Sequence, residues 1–312
     1  MKTSMKSIKV LVTGGAGYKG SHLVEALVSE GCHVTILDNF LYGYESLLGF
    51  VANKKISIIK KDIRNIKESD VSSHDIIFHL AAISGYPACE ANPHSAQTIN
   101  VTSTKMLLNY LSNDQILMCA STTSMYGSSG KELDETATPT PVSLYGITSL
   151  ERETLCMNRP NTIAFRFATI FGTSRRMRRD LLLNDFAYKA VTERSLVLYD
   201  YHSKRTFLHV RDAIEAYMMA ARNPEQMVDG IFNVGANSMN FSKLEIAEKI
   251  SKHIKLDIIK SNLEDPDRRD FIINFDKISA LGFSPKYSID DGIEELLRLY
   301  SWYRDNSLFR TI

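Results

Sequence analysis

The chain has 312 residues, of which 44% are hydrophobic and 23% are charged, a composition typical of a globular protein. Its 37 basic and 36 acidic side chains nearly cancel, which argues against binding to a nucleic acid or to an anionic membrane. The length is sufficient for one α/β domain that carries a smaller lobe.

The four cysteines, Cys32, Cys89, Cys119 and Cys156, lack the spacing of a zinc site or of a disulfide framework. No apolar run has the length of a signal peptide or of a membrane span. We therefore expect reduced thiols, no bound metal and a cytoplasmic location.

The first predicted strand, Ile8–Thr13, runs into three glycines with the spacing G-x-x-G-x-x-G, at Gly14, Gly17 and Gly20. A helical pattern begins at the last of them. Glycine allows a sharp turn and the close approach of a pyrophosphate to the N–H groups at a helix N-terminus. The glycines alone would equally suggest an ordinary tight turn, so the next strand has to decide between the two interpretations.

That next strand, His33–Leu37, is followed directly by Asp38. A carboxylate at this position can accept hydrogen bonds from a ribose 2′-hydroxyl and would repel a 2′-phosphate. Strand, glycines, helix, strand and acid thus occur in the order of a dinucleotide-binding βαβ unit. The sequence predicts that the chain binds NAD in preference to NADP.

Further apolar, β-branched runs alternate with helical patterns along the first half of the chain. This alternation predicts a Rossmann-like, doubly wound parallel sheet. The runs are Ile8–Thr13, His33–Leu37, Ile56–Ile59, Ile76–Leu80, Ile116–Cys119 and Ile163–Phe167.

After Phe167 the pattern loosens into a basic loop, a predicted helix near Leu182–Glu193 and a last helical stretch at Ile289–Tyr303. No flexible linker and no internal repeat separates two domains. We expect a dinucleotide-binding domain at 1–167 with a returning segment at about 203–235, and a substrate-binding lobe at about 168–202 and 236–312.

Several short motifs resemble those of the extended short-chain dehydrogenase/reductases, the NAD-dependent nucleotide-sugar epimerase/dehydratase family. They are Asp62-Ile63-Arg64, His79-Leu80-Ala81-Ala82, Ala120-Ser121-Thr122-Thr123-Ser124-Met125-Tyr126-Gly127, Tyr145-Gly146, Arg205-Thr206-Phe207-Leu208-His209-Val210-Arg211-Asp212 and Leu281-Gly282-Phe283-Ser284-Pro285. The resemblance implies a Rossmann-like α/β fold with a smaller C-terminal lobe, NAD as cofactor and a nucleotide-diphosphate sugar as substrate. It also implies a homodimer, formed through helices near Ala96–Leu111 and Leu144–Met157.

Enzymes of this family oxidise a sugar hydroxyl, usually at C4, by passing hydride to NAD. The resemblance implies that Tyr145 removes the hydroxyl proton and that Thr122 hydrogen-bonds the same hydroxyl. Ser149 occupies the third position of that catalytic set.

The resemblance also implies two sets of binding residues. The cofactor-binding set is Gly14, Gly17, Tyr18, Lys19, Gly20, Asp38, Asn39, Asp62, Ile63, Leu80, Ala81, Ala82, Asn100 and Tyr145. The substrate-binding set is Thr123, Ser124, Thr169, Arg178, Arg205 and Arg269. Within these sets Asp62 and Ile63 are expected at the adenine, Asn100 in a conformational role, and Arg205 and Arg269 at the substrate diphosphate.

The chain departs from the family pattern Tyr-x-x-x-Lys, because Ser149 stands where the lysine belongs. That lysine would help to ionise the tyrosine, and a tyrosine of ordinary pKa, about 10, is ionised in only about one molecule in a thousand at pH 7. Arg152, one turn further along the helix, or Lys19, which replaces an apolar residue in the glycine turn, could supply the cation. The alternative is a non-catalytic NAD-binding or regulatory protein; we adopt the interpretation of a retained but atypical active site.

Two further departures concern the reaction and the substrate. The sugar 4,6-dehydratases carry an Asp-Glu pair directly after the catalytic threonine, and here those positions are Thr123 and Ser124. Without these carboxylic acids, epimerisation or simple oxidation is expected rather than loss of water. Thr169 replaces an asparagine that contacts the diphosphate in many relatives. The sequence leaves open the base, the sugar, and the choice between epimerase and dehydrogenase.

Overall fold

The structure is a computed structural model that describes residues 5–128, 130–263 and 270–304. The strands are Lys9–Thr13 (β1), His33–Asp38 (β2), Ile56–Lys60 (β3), Ile76–His79 (β4), Ile116–Thr122 (β5), Glu132–Leu133 (β6), Thr162–Phe167 (β7), Thr169–Phe171 (β8), Ser195–Leu198 (β9), Lys204–His209 (β10), Gly230–Val234 (β11), Asn240–Ser242 (β12), Asp257–Lys260 (β13) and Ile272–Ile273 (β14).

The α-helices are Tyr18–Ser29 (α1), Tyr86–Ala91 (α2), Pro93–Gln97 (α3), Ser103–Asn109 (α4), Leu144–Met157 (α5), Leu182–Thr192 (α6), Val210–Arg222 (α7), Lys243–Ser251 (α8), Asp276–Ala280 (α9) and Ile289–Tyr300 (α10). A π-helical turn, Thr98–Thr102, joins α3 to α4.

The main sheet has seven parallel strands in the order β11-β7-β5-β4-β1-β2-β3. This confirms the predicted doubly wound sheet. The direction of winding reverses between β1 and β4, and ligands of such sheets bind at the carboxyl ends of the strands near this reversal. The strand β5 extends three residues beyond its predicted end at Cys119, because it continues to Thr122 by pairing with Phe165–Phe167 of β7.

Helices cover both faces of the main sheet. On one face α1 and α7 pack together, and Tyr217 of α7 contacts Phe78 and Phe165 with ring centroids 5.5 and 4.9 Å apart. On the other face α5 packs on β5 and β7. The two helices that are most important for the site, α1 and α5, therefore approach the same edge of the sheet from opposite sides.

A second hydrophobic cluster lies between α6, α8 and α10, beside the three-stranded sheet β12-β10-β8. The pairing places β10 in this smaller sheet and returns β11 to the large one. The division of the chain into two lobes at the residues given above stays a prediction.

Residues 172–174 tie the smaller cluster to the start of α1. The Tyr18 hydroxyl donates to the Gly172 carbonyl oxygen (2.6 Å), and the Ser174 hydroxyl donates to the Tyr18 carbonyl oxygen (2.8 Å). The His22 ring nitrogen lies 2.9 Å from the Thr173 carbonyl oxygen. These contacts hold the glycine turn against the loop that leads to α6.

All four cysteines are buried and free. In the described part of the chain, no helix combines the length and the apolar character needed to cross a membrane. The same residues contain no cluster of three or more His, Cys, Asp or Glu side chains that could hold a metal ion.

Candidate active site

A cavity of about 600 Å³ opens at the carboxyl edge of the main sheet, where β1 and β4 end. Its floor is the glycine turn. Gly14 has a φ of +74°, and a Cβ there would lie 2.8 Å from the Ala81 backbone nitrogen. A Cβ at Gly20 would overlap the Gly14 carbonyl oxygen, whereas one at Gly17 would meet only that oxygen, at 3.1 Å. The turn therefore packs tightly against backbone at Gly14 and Gly20 and leaves space beside Gly17, as binding of a pyrophosphate requires.

Asp38 lines the cavity at the end of β2, with Asn39 beside it. Its carboxylate accepts hydrogen bonds from the backbone N–H groups of Phe40 (2.8 Å) and Ala16 (3.0 Å). Burial raises the pKa of Asp38, although these bonds act in the opposite direction. Each carboxylate oxygen can accept a further bond, so Asp38 can still bind a ribose hydroxyl. The residues of this turn fit a dinucleotide.

The structure brings most of the predicted cofactor residues together at this end and leaves two outside it. Leu80, Ala81, Ala82 and Ile63 line the cavity. Asp62 does not, because its carboxylate caps the turn that follows it and binds Arg64 at 2.7 Å. This pairing lowers the pKa of Asp62 to about 2.

Asn100 lies behind the cavity wall. Its side chain accepts a bond from the Ile83 N–H and donates to the Ile83 carbonyl oxygen, each at 2.9 Å, and it donates to the Thr148 hydroxyl at 3.1 Å. It thus fixes the loop after β4 against α5. This arrangement supports the conformational role expected for Asn100.

Thr122 and Tyr145, which the sequence predicts to be catalytic, both line the cavity, and we call the part that they line the reaction end. Thr122 ends β5, and its hydroxyl donates to the Ser124 hydroxyl at 3.0 Å. Tyr145 is placed by the start of α5, where the Ser143 hydroxyl accepts the Gly146 N–H at 3.2 Å. Thr123 is not among the lining residues, since its hydroxyl donates to the Phe167 carbonyl oxygen at 3.2 Å.

Ser149 is buried one turn after Tyr145 and does not line the cavity. Its hydroxyl donates to the Tyr145 carbonyl oxygen at 2.7 Å, so the predicted catalytic serine is bonded to its own helix. Arg152, one turn further, is also buried and outside the cavity. Its guanidinium donates to the carbonyl oxygens of His79 and, at 3.4 Å, Ala81.

Lys19 extends from α1 into the cavity. Its ammonium lies 3.9 Å from the centroid of the Phe167 ring and 5.8 Å from that of Tyr217. Burial lowers the pKa of Lys19 to about 7, with smaller contributions from the positive charges of Arg152 and Arg178. Since Phe167 is the register partner of Thr122, the cavity holds a lysine at its reaction end, but on a different helix from the tyrosine.

Two buried basic side chains, on β10 and α8, line a part of the cavity that we call the substrate end. Arg205 of β10 is 7% exposed and Lys243 at the start of α8 is 5% exposed, and both line the cavity together with Ser124 and Thr169. Arg269 lies outside the described residues. Lys243 was not predicted, because a lysine directly after a serine cap is typical of an ordinary surface helix.

The basic loop after β8 divides its arginines between several partners. Arg178 lines the cavity, donates to the Ser84 hydroxyl at 2.6 Å and forms an ion pair with Asp180. Arg176 also lines the cavity and stacks on the Tyr42 ring at 4.1 Å. Arg175, in contrast, pairs with Glu25 on the surface.

A buried network of side-chain hydrogen bonds next to Thr122 was also not predicted from the sequence. Glu153 of α5 forms an ion pair with Arg166 of β7 at 2.6 Å and accepts a hydrogen bond from the Ser121 hydroxyl, also at 2.6 Å. Arg166 in turn donates to the Tyr126 hydroxyl at 2.7 Å. An arginine between two phenylalanines of a buried strand requires an acidic partner, and this signal could have predicted the network.

The geometry agrees with comparisons with known proteins. The model of the NAD dependent epimerase/dehydratase family matches residues 10–235. The UDP-N-acetyl-alpha-D-glucosaminuronate decarboxylase of Bacillus cytotoxicus is 30% identical, over 95% of this chain and 98% of that protein. An uncharacterized UDP-glucose epimerase of Bacillus subtilis, YtcB, is 27% identical, over 95% of this chain and 99% of that protein.

The fold is also similar to those of solved structures. The UDP-glucuronic acid 4-epimerase of Bacillus cereus in complex with NAD has a TM-score of 0.83 at 26% identity, covering 97% of this chain and 100% of that one. Its complex with UDP-glucuronic acid and NAD has a TM-score of 0.82 at 27% identity, covering 94% and 99%. The chain therefore belongs to the NAD-dependent epimerase/dehydratase family and is an enzyme whose cofactor is NAD.

Proposed function

We propose that the protein inverts the configuration of a UDP-sugar at C4. The observation that carries this proposal is that one cavity is lined by three groups of residues. The glycine turn and Asp38 lie at the ends of β1 and β2, Thr122 and Tyr145 lie at the end of β5 and the start of α5, and Arg205 and Lys243 lie on β10 and α8. A dinucleotide on the first group and a sugar diphosphate on the third would bring the nicotinamide and the sugar to the hydroxyl groups of Thr122 and Tyr145.

Each catalytic side chain has a defined task in this reaction. Tyr145, as phenolate, takes the proton of the C4 hydroxyl while Thr122 hydrogen-bonds the same oxygen. When bound, NAD accepts hydride from C4 and returns it. The C4–H bond breaks as the C=O bond forms, and the reverse reaction on the other face of the ketone gives the epimer. Tyr145 then returns the proton to the oxygen, so protons and electrons balance.

The cavity supports this reaction better than the elimination of water. Its acidic lining residues among those described are Asp38, Asp180 and Asp185. Asp38 accepts hydrogen bonds from backbone N–H groups. Asp180 forms an ion pair with Arg178, and Asp185 forms one with Lys189. No carboxylic acid is thus available beside Thr122, within the described residues, to protonate a leaving hydroxyl.

The substrate end supports a nucleotide diphosphate as the handle of the sugar. The planar guanidinium of Arg205 suits bidentate binding of phosphate oxygens, and Lys243 adds a second cation. The uridine base is carried over from the relatives, whose names specify UDP-sugars.

The test is incubation of the purified protein with UDP-glucose, UDP-N-acetylglucosamine or UDP-glucuronic acid in deuterated water, followed by NMR of the products. We expect the C4 epimer of at least one of them, with no net NADH formed and with protium retained at C4, since the hydride returns internally. Tyr145→Phe is the control.

Other products would identify other members of the family. Net NADH would identify a dehydrogenase. Loss of CO₂ from UDP-glucuronic acid would identify a decarboxylase, because a C4 ketone makes the C6 carboxylate a β-keto acid. NAD binding without any product would favour the non-catalytic alternative.

We also propose that two copies associate through residues 96–111 and α5. The exposed Ile147 on α5 supports this arrangement. Light scattering of the wild type and of Ile147→Glu tests it. A dimer that the substitution converts to a monomer is expected, and a monomeric wild type would contradict the proposal.

A further inference from the structure

The lysine missing from α5 has a counterpart in the glycine turn. Four residues after Tyr145 the chain carries Ser149, and two residues after Gly17 it carries Lys19, where the resembling enzymes have an apolar residue. Both departures concern the same chemical group, an ammonium, which is absent at the first position and present at the second. The structure shows whether the two positions can exchange roles.

On α5, backbone carbonyl oxygens hold both Ser149 and Arg152. The Ser149 hydroxyl is bonded to the Tyr145 carbonyl oxygen, and Arg152 is held by carbonyl oxygens at the end of β4. Neither side chain lines the cavity. Arg152 is therefore excluded as the cation that faces a substrate, although its charge acts on Lys19.

The ammonium of Lys19 lies near the end of β5 that carries Thr122. It stands over the ring of Phe167, and Phe167 is the register partner of Thr122 in the neighbouring strand. Paired strands lie about 4.8 Å apart, so the ammonium is at the same end of the cavity as the catalytic threonine. Within residues 5–128, 130–263 and 270–304, Lys19 has no acidic partner and no hydrogen bond from its ammonium.

We propose that Lys19 supplies from α1 the positive charge that a lysine on α5 supplies in the resembling enzymes, and that this charge favours the phenolate form of Tyr145. An enclosed cation without an anionic partner is costly, and such a position is retained where a ligand or a reacting group needs the charge. The inference rests on the proposed function, because it assigns a positioning and charge-stabilising role for that reaction.

The surroundings of Lys19 make its charge dependent on the bound ligand. Burial, Arg152 of α5 and Arg178 of the basic loop lower the pKa of Lys19 to about 7, while Cys119 of β5 acts in the opposite direction. Tyr217 of α7 contributes only its ring face. A pyrophosphate at the glycine turn adds negative charge and would favour the ammonium. Binding of NAD should therefore take up a proton at pH values above about 7.

Proton uptake provides a test that needs no turnover. Calorimetric titration with NAD at pH 8, in buffers of different ionisation enthalpy, should show proton uptake for the wild type and none for Lys19→Met. Equal uptake by both proteins would overturn the inference. Thermal unfolding of both proteins checks that the substitution leaves the fold intact.

The second test exchanges the two positions. Lys19→Met should move the midpoint of the pH–rate profile upward by one to three pH units, with a 10- to 1000-fold loss at pH 7. Lys19→Arg should retain most of the activity. Ser149→Lys alone should give no gain, while Lys19→Ile combined with Ser149→Lys should recover activity to within about tenfold of the wild type.

The outcomes separate this inference from the proposed function. If Lys19→Met leaves the pH–rate profile unchanged, or if the exchanged double variant is no better than Lys19→Ile, then Lys19 does not replace the missing lysine. If the wild type turns over no UDP-sugar, the proposed function fails. The ionisation of Tyr145 can then still be followed as the part of the tyrosinate absorbance that Tyr145→Phe lacks. The inference holds only if Tyr145 ionises at lower pH in the wild type than in Lys19→Met.

Discussion

The helices α1 and α5 both deliver residues to the cavity, and they are positioned by different means. α1 starts at a turn whose shape requires glycine, because side chains at Gly14 and Gly20 would meet backbone atoms. α5 is fixed to the sheet by a buried side-chain pair, Glu153 with Arg166, and by the cap at Ser143. The backbone thus determines the cofactor side of the site, while side-chain pairing determines the catalytic side.

The largest expected effect tests α5 as the source of the chemistry. Tyr145→Phe removes the group that carries the proton and should lower kcat by 10²- to 10⁴-fold, about 3–5 kcal/mol in the barrier. NAD affinity, measured by calorimetric titration, should stay within a few-fold of the wild type. Full activity in this variant would remove α5 from the mechanism.

The second effect tests how α5 is held in place. Glu153→Gln leaves Arg166 buried without a full negative charge, and it should destabilise the fold by about 3 kcal/mol. Denaturant unfolding measures the loss. The matched control is Glu151→Gln, since Glu151 is exposed on the same helix and should change stability by less than about 0.5 kcal/mol. Equal stability of both variants would mean that the backbone alone positions α5.

A third substitution lies on neither helix and tests the substrate end. Arg205→Ala should weaken binding of the UDP-sugar 10- to 100-fold, about 1.4–2.7 kcal/mol, and leave NAD affinity unchanged. Arg175→Ala serves as the control, because Arg175 pairs with Glu25 outside the cavity. A parallel loss of NAD affinity would show that the two ends of the cavity are not independent.

The smallest expected effect concerns the cofactor side. Asp38→Asn keeps an acceptor for a loop N–H but loses the negative charge, so the preference for NAD over NADP should narrow by about tenfold, or roughly 1.4 kcal/mol. Calorimetric titration with both dinucleotides measures it. A wild type that binds NADP as tightly as NAD would contradict the role assigned to Asp38.

The same comparison explains how far the sequence could predict this molecule. The glycine turn, Asp38 and the parallel sheet depend on backbone geometry and apolar periodicity, and the observed fold confirms the predicted sheet. Charge placement depends on contacts between residues that are distant in the chain. The sequence could therefore name both Arg152 and Lys19 as candidate cations, while only the carbonyl contacts of Arg152 distinguish them.

Local hydrogen bonds explain why two of the predicted site residues do not line the cavity. Asp62 and Thr123 fit the motif order, yet the first caps the following turn and the second bonds to the Phe167 carbonyl oxygen. Polar residues beside turns often satisfy nearby backbone groups in this way, and a motif cannot show which partner is chosen.

The hydrogen bonds between the start of α1 and residues 172–174 bear on how long a cofactor remains bound. An epimerase returns the hydride to the same sugar that lost it, so a cofactor that escaped between the two half-reactions would leave an oxidised sugar behind. The bonds from Tyr18 and Ser174 fix the start of α1, next to the glycine turn, to residues 172–174. They oppose any separation of the glycine turn from the loop to α6, and we expect them to slow the exchange of a bound dinucleotide with free NAD.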